Sequence, residues 1–325
     1  MREKVIKAIL DSGENFMSGE QLSKKLGISR TAVWKHINAL REEGYNIESV
    51  NKKGYRLAEK PDDILSSENI AYNLPTEFIG KKVIHLDTVG STNDYAKEIG
   101  NKVSGGTLII SEQQTKGKGR LGRVWKSKSG DGIWMSLIIK PKIEPYKAPF
   151  LTLVAGASVV KALSNLGVEV SIKWPNDIIV HNKKICGILT ELSAEMERVN
   201  YVVIGIGINI KTIDFPDEIK EKATSLYKEG YKLSRVDIVR QFCIEFEKLY
   251  KGYILDGNKQ DTLELCRKYS AIIGKQVYVI KNNKRELVKC IDINENGNLI
   301  VKEKNGEIQE IMSGEVSIRG VKGYV

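Results

Sequence analysis

Apolar positions in the first sixty residues recur at helical spacing three times. Val5, Ile6, Ile9 and Leu10 make one stripe, Leu22 and Leu26 a second, and Val33, Ile37 and Leu40 a third. Ser18-Gly19-Glu20-Gln21 has the S-x-x-Q form in which serine and glutamine each satisfy a free main-chain N–H, so it predicts where the second helix starts. Gly27-Ile28 predicts a tight turn, and Ser29 the cap of the third helix. From Ile47 to Leu57 the period changes to alternation, around a turn at Asn51-Lys52-Lys53-Gly54.

On the third helix Arg30, Thr31, Trp34, Lys35, Asn38 and Arg41 fall on the arc opposite the apolar stripe. With a turn before it and a hairpin after it, this predicts a winged helix-turn-helix. Its third helix would reach phosphates and base edges, and its wing would bring Lys52 and Lys53 to the DNA backbone. The competing reading is a helical protein-interaction module with a solvated basic face. Cap, turn, basic face and wing in the expected order favour DNA.

Ala58-Glu59-Lys60-Pro61-Asp62-Asp63 is charged and broken by proline, and predicts a linker. Beyond it the pattern mixes strands with helices. Strands are predicted at Val83–Leu86, Thr107–Glu112, Ile133–Ile139, Ile178–Val180, Ile185–Leu192 and Tyr201–Ile210, and helices at Ala148–Leu166 and Arg235–Tyr250. Only His181-Asn182-Lys183-Lys184 separates two of the strands, which predicts an antiparallel hairpin. Short strands follow from Ile272, with turns at Lys281-Asn282-Asn283-Lys284, Asn294–Asn298 and Asn305-Gly306, as in a small all-β barrel. The expected fold class is α+β in three domains: a winged helix at 1–60, a mixed, mainly antiparallel sheet covered by helices at 64–270, and a β barrel at 271–325.

Composition narrows the function classes. No apolar run reaches the roughly 18 residues of a membrane span, and Met1-Arg2-Glu3-Lys4 does not begin a signal peptide, so the cytoplasm is the expected location and no membrane partner is expected. Cys186, Cys243, Cys266 and Cys290 form no CxxC pair, and the 3 histidines have no HExxH spacing; buried free thiols are expected, and no metal held by a protein cluster. A net charge of +10 suits a polyanionic partner, though only weakly.

The densest chemistry lies in Gln113-Gln114-Thr115-Lys116-Gly117-Lys118-Gly119-Arg120-Leu121-Gly122-Arg123-Val124-Trp125. Its glycines let the backbone approach a ligand closely, and Lys116, Lys118, Arg120 and Arg123 crowd cations that a phosphate or adenylate would compensate. A dinucleotide-binding turn needs a helix directly after G-x-G-x-x-G, whereas Lys126-Ser127-Lys128-Ser129-Gly130-Asp131-Gly132 follows here. No Gly-Lys-Ser/Thr closes a P-loop either.

This run closely resembles the G-[RK]-G-R-x-x-R-x-W signature of biotin protein ligases. Further matches stand in that family's order: Ser91-Thr92-Asn93, Lys173-Trp174-Pro175-Asn176-Asp177, Lys184-Ile185-Cys186-Gly187-Ile188-Leu189 and Gly205-Ile206-Gly207-Ile208-Asn209. Joined to a winged helix, the set resembles the bifunctional biotin ligase and biotin-operon repressor over essentially the whole chain. The resemblance implies a central sheet like that of class II aminoacyl-tRNA synthetases and an SH3-like C-terminal barrel.

It also implies roles. Ser91, Thr92, Asn93, Gln114, Gly117, Arg120, Lys184, Gly187 and Gly205 would hold biotin. Gly117, Lys118, Gly119, Arg120, Arg123, Trp125, Asn176, Lys184, Asn209 and Arg319 would hold ATP and the adenylate, with Trp125 either stacking on adenine or packing the core. Lys184, Arg120 and Asp177 would carry the chemistry, with Lys183 as the rival of Lys184. Mg²⁺ would arrive with ATP, Asn176 and Asp177 being its candidate protein contacts; Asp177 is alternatively a helper in deprotonating the acceptor lysine. Ser91-Thr92-Asn93 also reads as a helix cap, and Pro175-Asn176-Asp177 as turn chemistry.

The implied reaction joins biotin to ATP as biotinyl-5′-adenylate and transfers it to a lysine of a biotin carboxyl carrier protein. The same adenylate would act as corepressor, promoting a homodimer on operator DNA. Lys211 to Leu226 would be an adenylate-responsive loop, here without a Trp, and Ser313–Gly320 resembles the family's last motif. The chain has no Met-Lys-Met of its own, so it resembles the ligase and not the carrier. Lipoate–protein ligase is the alternative within enzymes, and a ligand-sensing repressor without catalysis the alternative outside them.

Overall fold

The computed structural model describes residues 1–58, 63–281, 284–313, 317–321 and 323–325. The central part of the expected linker, the tip of the turn at Lys281–Lys284, and residues 314–316 of the last motif lie outside the described residues.

Three helices open the chain: α1 (Arg2–Asp11), α2 (Gly19–Leu26) and α3 (Arg30–Glu42). The capping box forms as its residue types demand, the Ser18 hydroxyl accepting from Gln21 N and the Gln21 amide from Ser18 N. Gly27 ends α2 in the left-handed region at φ 67°, and Ser29 caps α3. A hairpin of β1 (Ile47–Val50) and β2 (Gly54–Leu57) follows. Val5, Ile6, Ile9, Leu22, Val33, Ile37 and Leu40 are buried together in a core of their own.

Helix α4 (Ser67–Ala71) joins this unit to the rest. The Tyr72 hydroxyl donates to the Leu10 carbonyl, Tyr45 meets Ser66 at 2.8 Å, and Arg240 donates to the carbonyls of Asn69, Ile70 and Tyr72. At the end of the linker Asp63 is bound by the buried Arg235, whose guanidinium also pairs with Glu112.

The central sheet has seven strands: β3 (Val83–Val89), β4 (Thr107–Gln114), β5 (Gly132–Ile139), β6 (Ser171–Lys173), β7 (Asp177–Val180), β8 (Lys183–Glu195) and β9 (Arg198–Asn209). Their order is β3-β4-β5-β9-β8-β7-β6; β3 runs parallel to β4 and every other pairing is antiparallel. The predicted hairpin is β7–β8, turned through His181 and Asn182 at φ 45° and 63°.

One face carries α6 (Phe150–Asn165), α7 (Arg235–Leu255) and α8 (Gln260–Lys268). With its lead-in from Pro145, α6 is long and apolar enough to cross a membrane by length and composition, but it is mostly buried between the sheet and its neighbour helices. The other face carries α5 (Thr92–Ile99), on a small cluster of Ala96, Ile109, Ile138, Tyr201 and Val203.

The chain ends in a five-stranded antiparallel sheet of β10 (Gln276–Lys281), β11 (Lys284–Ile293), β12 (Leu299–Lys302), β13 (Ile308–Ile311) and β14 (Ser317–Gly320), in the order β13-β12-β11-β10-β14. Its core residues Val277, Val288, Cys290, Leu299 and Val301 belong to the same buried cluster as the central sheet. Gly297 shows how close the two units sit: a Cβ there would stand 2.4 Å from Leu153 of α6.

Candidate active site

The glycine-rich run folds as an ordered ribbon, not a helix. Gln114 pairs with Ser127, Trp125 N bonds Gly117 O, and Gly119 N bonds Arg123 O. Gly117 is required for this closure, since a Cβ would lie 2.3 Å from the Trp125 carbonyl. The ribbon arches over β8 and β9 and lays Trp125 on them. Cβ atoms at Gly187 and Gly207, which face each other across β8–β9, would meet the indole at 2.9 Å and 2.6 Å. The third glycine on this face serves another purpose: at Gly205 a Cβ would meet Asn93 at 2.2 Å, so that glycine admits a side chain of α5.

Under the ribbon lies a cavity of about 50 Å³ lined by Ser91, Thr92, Asn93, Gln114, Lys118, Gly119, Arg120, Trp125, Asn176, Lys184, Gly187 and Gly205, among others. It opens beside a cleft of about 700 Å³, to which Arg123, Asp177, Asn209 and Arg319 contribute. Gly119, Arg120, Trp125, Asn176 and Lys184 face both. Gly117 shapes the ribbon without lining either.

At the small cavity, Ser91 occupies the cap position of α5 without making a cap bond; Thr92 N is taken instead by the Gln114 side chain. That leaves the Ser91 side chain to the cavity. Gln114 then donates to Ser127. Ser136, buried in the middle of β5, bonds both Thr92 Oγ1 (2.8 Å) and Asn93 Oδ1 (2.6 Å). Asn93 also donates to Glu191, which Lys97 holds from the other side. These neutral groups form a fixed hydrogen-bonding wall.

Cations gather where the two spaces meet. Arg120 donates to Asn176 Oδ1 (2.8 Å) and to the Ser313 carbonyl (2.7 Å), and its burial draws its pKa down from the ordinary value. Asn176 in turn donates to Ile188 O, so its side-chain amide is committed to orienting Arg120 in this state. Lys184 Nζ stands 2.5 Å from Asp177 Oδ1 and 5.2 Å from the Trp125 ring. Burial alone would raise the Asp177 carboxyl, but the Lys184 charge and hydrogen bonds from Lys184 and Tyr324 outweigh it and hold it below the usual range. Lys118 pairs with Asp94 at the surface. Lys183, the rival of Lys184, lines neither space.

Among the described residues no three His, Cys, Asp or Glu side chains gather as a metal site. A Mg²⁺ ion brought by a nucleotide fits the cleft only if phosphate oxygens supply most of its ligands, with one carboxylate such as Asp177.

The chain matches the Biotin/lipoate A/B protein ligase family over residues 86–209, an HTH domain over 2–56 and the Biotin protein ligase C terminal domain over 272–319. It is 42% identical over 323 residues to the bifunctional ligase/repressor BirA of Bacillus spizizenii, covering 98% of each chain. The chain belongs to the bifunctional biotin ligase/repressor family. The family's Escherichia coli member is 32% identical, over 97% of this chain and 96% of its own. A biotin protein ligase from Aquifex aeolicus, solved in complex with biotin and ATP, superposes with a TM-score of 0.65 and 32% identity, covering 74% of this chain and 99% of that one.

In this ligase/repressor the second candidate surface is the outer face of α3. Arg30, Thr31, Trp34 and Lys35 are exposed, Trp34 by 54%, and Lys52 and Lys53 stand on the wing. Asn38 is half-buried and accepts from Arg41. Arg41 is turned to a structural task, its guanidinium bonding Ile47 O and Ser49 Oγ and so strapping the wing to the helix.

Sequence reasoning missed Ser136, Lys173 as a site residue, Phe215 and Tyr324. A lone serine inside Ile133–Ile139 was the available signal for the first. Phe215 lines the large cleft from the loop after β9, on the side where the sequence lacks a Trp. Tyr324 carries no local motif.

Proposed function

We propose that this ligase/repressor assembles biotinyl-5′-adenylate at the junction of the two spaces. The supporting observation is the meeting of a neutral hydrogen-bonding wall with Arg120 and Lys184 on the open face of the sheet. Ser91, Thr92 and Gln114 suit the uncharged ureido ring, which offers N–H donors and a carbonyl acceptor. Asn93, held by Ser136 and Glu191, acts as support behind them.

Arg120 and Lys184 lie where the biotin carboxylate and the α-phosphate, both anions, must approach. Trp125, Phe215 and Asn209 wall the cleft for adenosine, and Lys118, Arg123 and Arg319 supply cations toward the phosphates. Mg²⁺, when bound, withdraws charge from those phosphates.

A biotin carboxylate oxygen attacks the α-phosphorus, the bond to the β-phosphate oxygen breaks, and pyrophosphate leaves. A carrier-protein lysine amine then attacks the acyl carbon, losing a proton as AMP departs. Lys118 pairs with Asp94 at the surface, an ion pair of low worth that phosphate exchanges readily. The small cavity does not admit a bicyclic ligand while Trp125 rests on Gly187 and Gly207, so binding displaces the indole.

The chain operates in the cytoplasm, with a biotin carboxyl carrier protein and operator DNA as its macromolecular partners and an adenylate-promoted homodimer as the DNA-bound form. The three units at 1–60, 64–270 and 271–325 divide reading DNA from making the adenylate. Mg²⁺-dependent ATP–pyrophosphate exchange tests the enzyme: it proceeds with biotin. Exchange with lipoate alone reassigns the acid, and exchange with neither leaves a ligand-sensing repressor.

A further inference from the structure

Residues 323–325 fold back from β14 into the floor of the large cleft. The fold-back is tight, since a Cβ on Gly320 would stand 2.4 Å from the Val325 main chain. Through it Tyr324 meets two charged groups at once. Its hydroxyl donates to Asp177 Oδ2, and its carbonyl accepts from Lys173 Nζ at 2.7 Å. Its ring lies under the same ammonium, 3.4 Å from ring centre to Nζ.

Lys173 is only 3% exposed and Tyr324 only 8%, so neither contact is a surface accident. Lys173 and Asp177 face each other across β6–β7, and Tyr324 bridges the far side of that pair. Burial draws the Lys173 pKa down to about 7 against the pull of the Asp177 charge, and its Nζ donates to the Tyr324 carbonyl over the Tyr324 ring. Asp177 is gripped from opposite sides, by Lys184 on one oxygen and by Tyr324 on the other.

We propose that Tyr324 is a positioning residue for adenylate formation, fixing the Asp177 carboxylate so that Lys184 is presented to the reacting carboxylate and α-phosphate. The proposal rests on the reading of Asp177 and Lys184 given above. A carboxylate tied by one partner swings about its Cβ–Cγ bond; tied by two it does not, and the ammonium paired with it keeps its place. Tyr324 touches no reacting atom in this scheme. Its effect reaches the chemistry only through Asp177.

The test is biotin-dependent ATP–pyrophosphate exchange with the full chain carrying Tyr324→Phe, Asp177→Asn, or both. Tyr324→Phe keeps the ring under Lys173 and the main-chain carbonyl, and deletes only the hydroxyl. It is expected to lower kcat about tenfold, leave the KM for biotin unchanged, and have no further effect once Asp177 is Asn. Normal kcat in Tyr324→Phe beside an impaired Asp177→Asn overturns the proposal and leaves the site reading standing. Equal losses from Tyr324→Phe in both backgrounds also overturn it, because the tyrosine then acts independently of Asp177. Wild-type exchange by Asp177→Asn removes the reading of the site itself, and the proposal with it.

Discussion

Arg120 of the glycine-rich ribbon donates a 2.7 Å hydrogen bond to the main-chain carbonyl of Ser313, 193 residues further along the chain. A loop that four cations and three glycines would keep open is thereby tied to the C-terminal unit and, through Asn176, to the strand bearing Ile188. Arg120→Ala is expected to cost at least 10²-fold in biotin-dependent exchange. In the ligand-free protein it should also speed trypsin cleavage at Lys116–Arg123. Exchange and proteolysis both at wild-type levels would show that the tie holds nothing.

Lys184 and Lys183 are neighbours in sequence but not in environment. Lys184 faces both spaces and pairs with Asp177, whereas Lys183 begins the strand at the hairpin edge. Lys184→Ala should lower adenylation roughly 10²-fold or more, with Lys183→Ala close to wild type. The reverse order in pyrophosphate exchange would reassign the cation.

Trp125 is held in a place it can give up. Its indole N–H is buried without a hydrogen-bond partner among the described residues, a cost of about 1–3 kcal/mol that leaving the glycine pair relieves. Biotin or adenylate binding should therefore change intrinsic fluorescence, and Trp125→Phe should abolish most of the change. A full signal from the variant would place the reporter elsewhere among the 4 tryptophans.

On the DNA side, Arg30→Ala and Lys35→Ala should each weaken operator binding and reduce the salt slope by about one if each cation meets a phosphate. Pyrophosphate exchange should stay unchanged. Arg41→Ala should also lower the melting temperature of the winged unit, because it releases the strap to Ile47 and Ser49. An unaltered operator isotherm for Arg30→Ala and Lys35→Ala together would remove α3 as the reading helix.

Glu247 is a pH-linked group of the scaffold. Burial opposes its ionisation, but hydrogen bonds from the main-chain N–H groups of Ile79, Phe78 and Glu77, with Lys251 nearby, hold its pKa below the ordinary 4.5. A depressed carboxyl contributes stability that is complete above its unfolded value and disappears as pH falls through the folded one. Glu247→Gln should thus cost about 1.5–3 kcal/mol at neutral pH, and the gap from wild type should close in strong acid. A gap independent of pH in urea melts would contradict the linkage.

Periodicity and short motifs made much of this molecule readable. The Ser18 box, the Ser29 cap and the His181-Asn182 turn are local codes, settled within a few residues, and all three form. Six strands of the central sheet were foreseen within a few residues of their ends, helped by apolar runs such as β5, which is buried at every position, while the three-residue β6 is too short to show a period. Helix α8 went unseen, since only Thr262, Leu263 and Cys266 of its nine residues are buried. At the site, motif order named the residues but not their bonds. Gly205 serving Asn93, Arg120 reaching Ser313 and Tyr324 reaching Asp177 are contacts between segments far apart in the chain, and no spacing rule encodes them.

The apolar interior runs unbroken from the seven-stranded sheet into the five-stranded one, while the winged unit encloses an interior of its own. On heating, the two sheets should lose their structure in a single cooperative step, and the three N-terminal helices in a separate one. Among the described residues the joint between them runs through Tyr45, Tyr72, Asp63 and the segment held by Arg240, few enough contacts for the reading head to be exchanged. A different operator specificity grafted ahead of Asp63, so that the Arg235 contact is kept, should leave the interior of the adenylate-forming half in place.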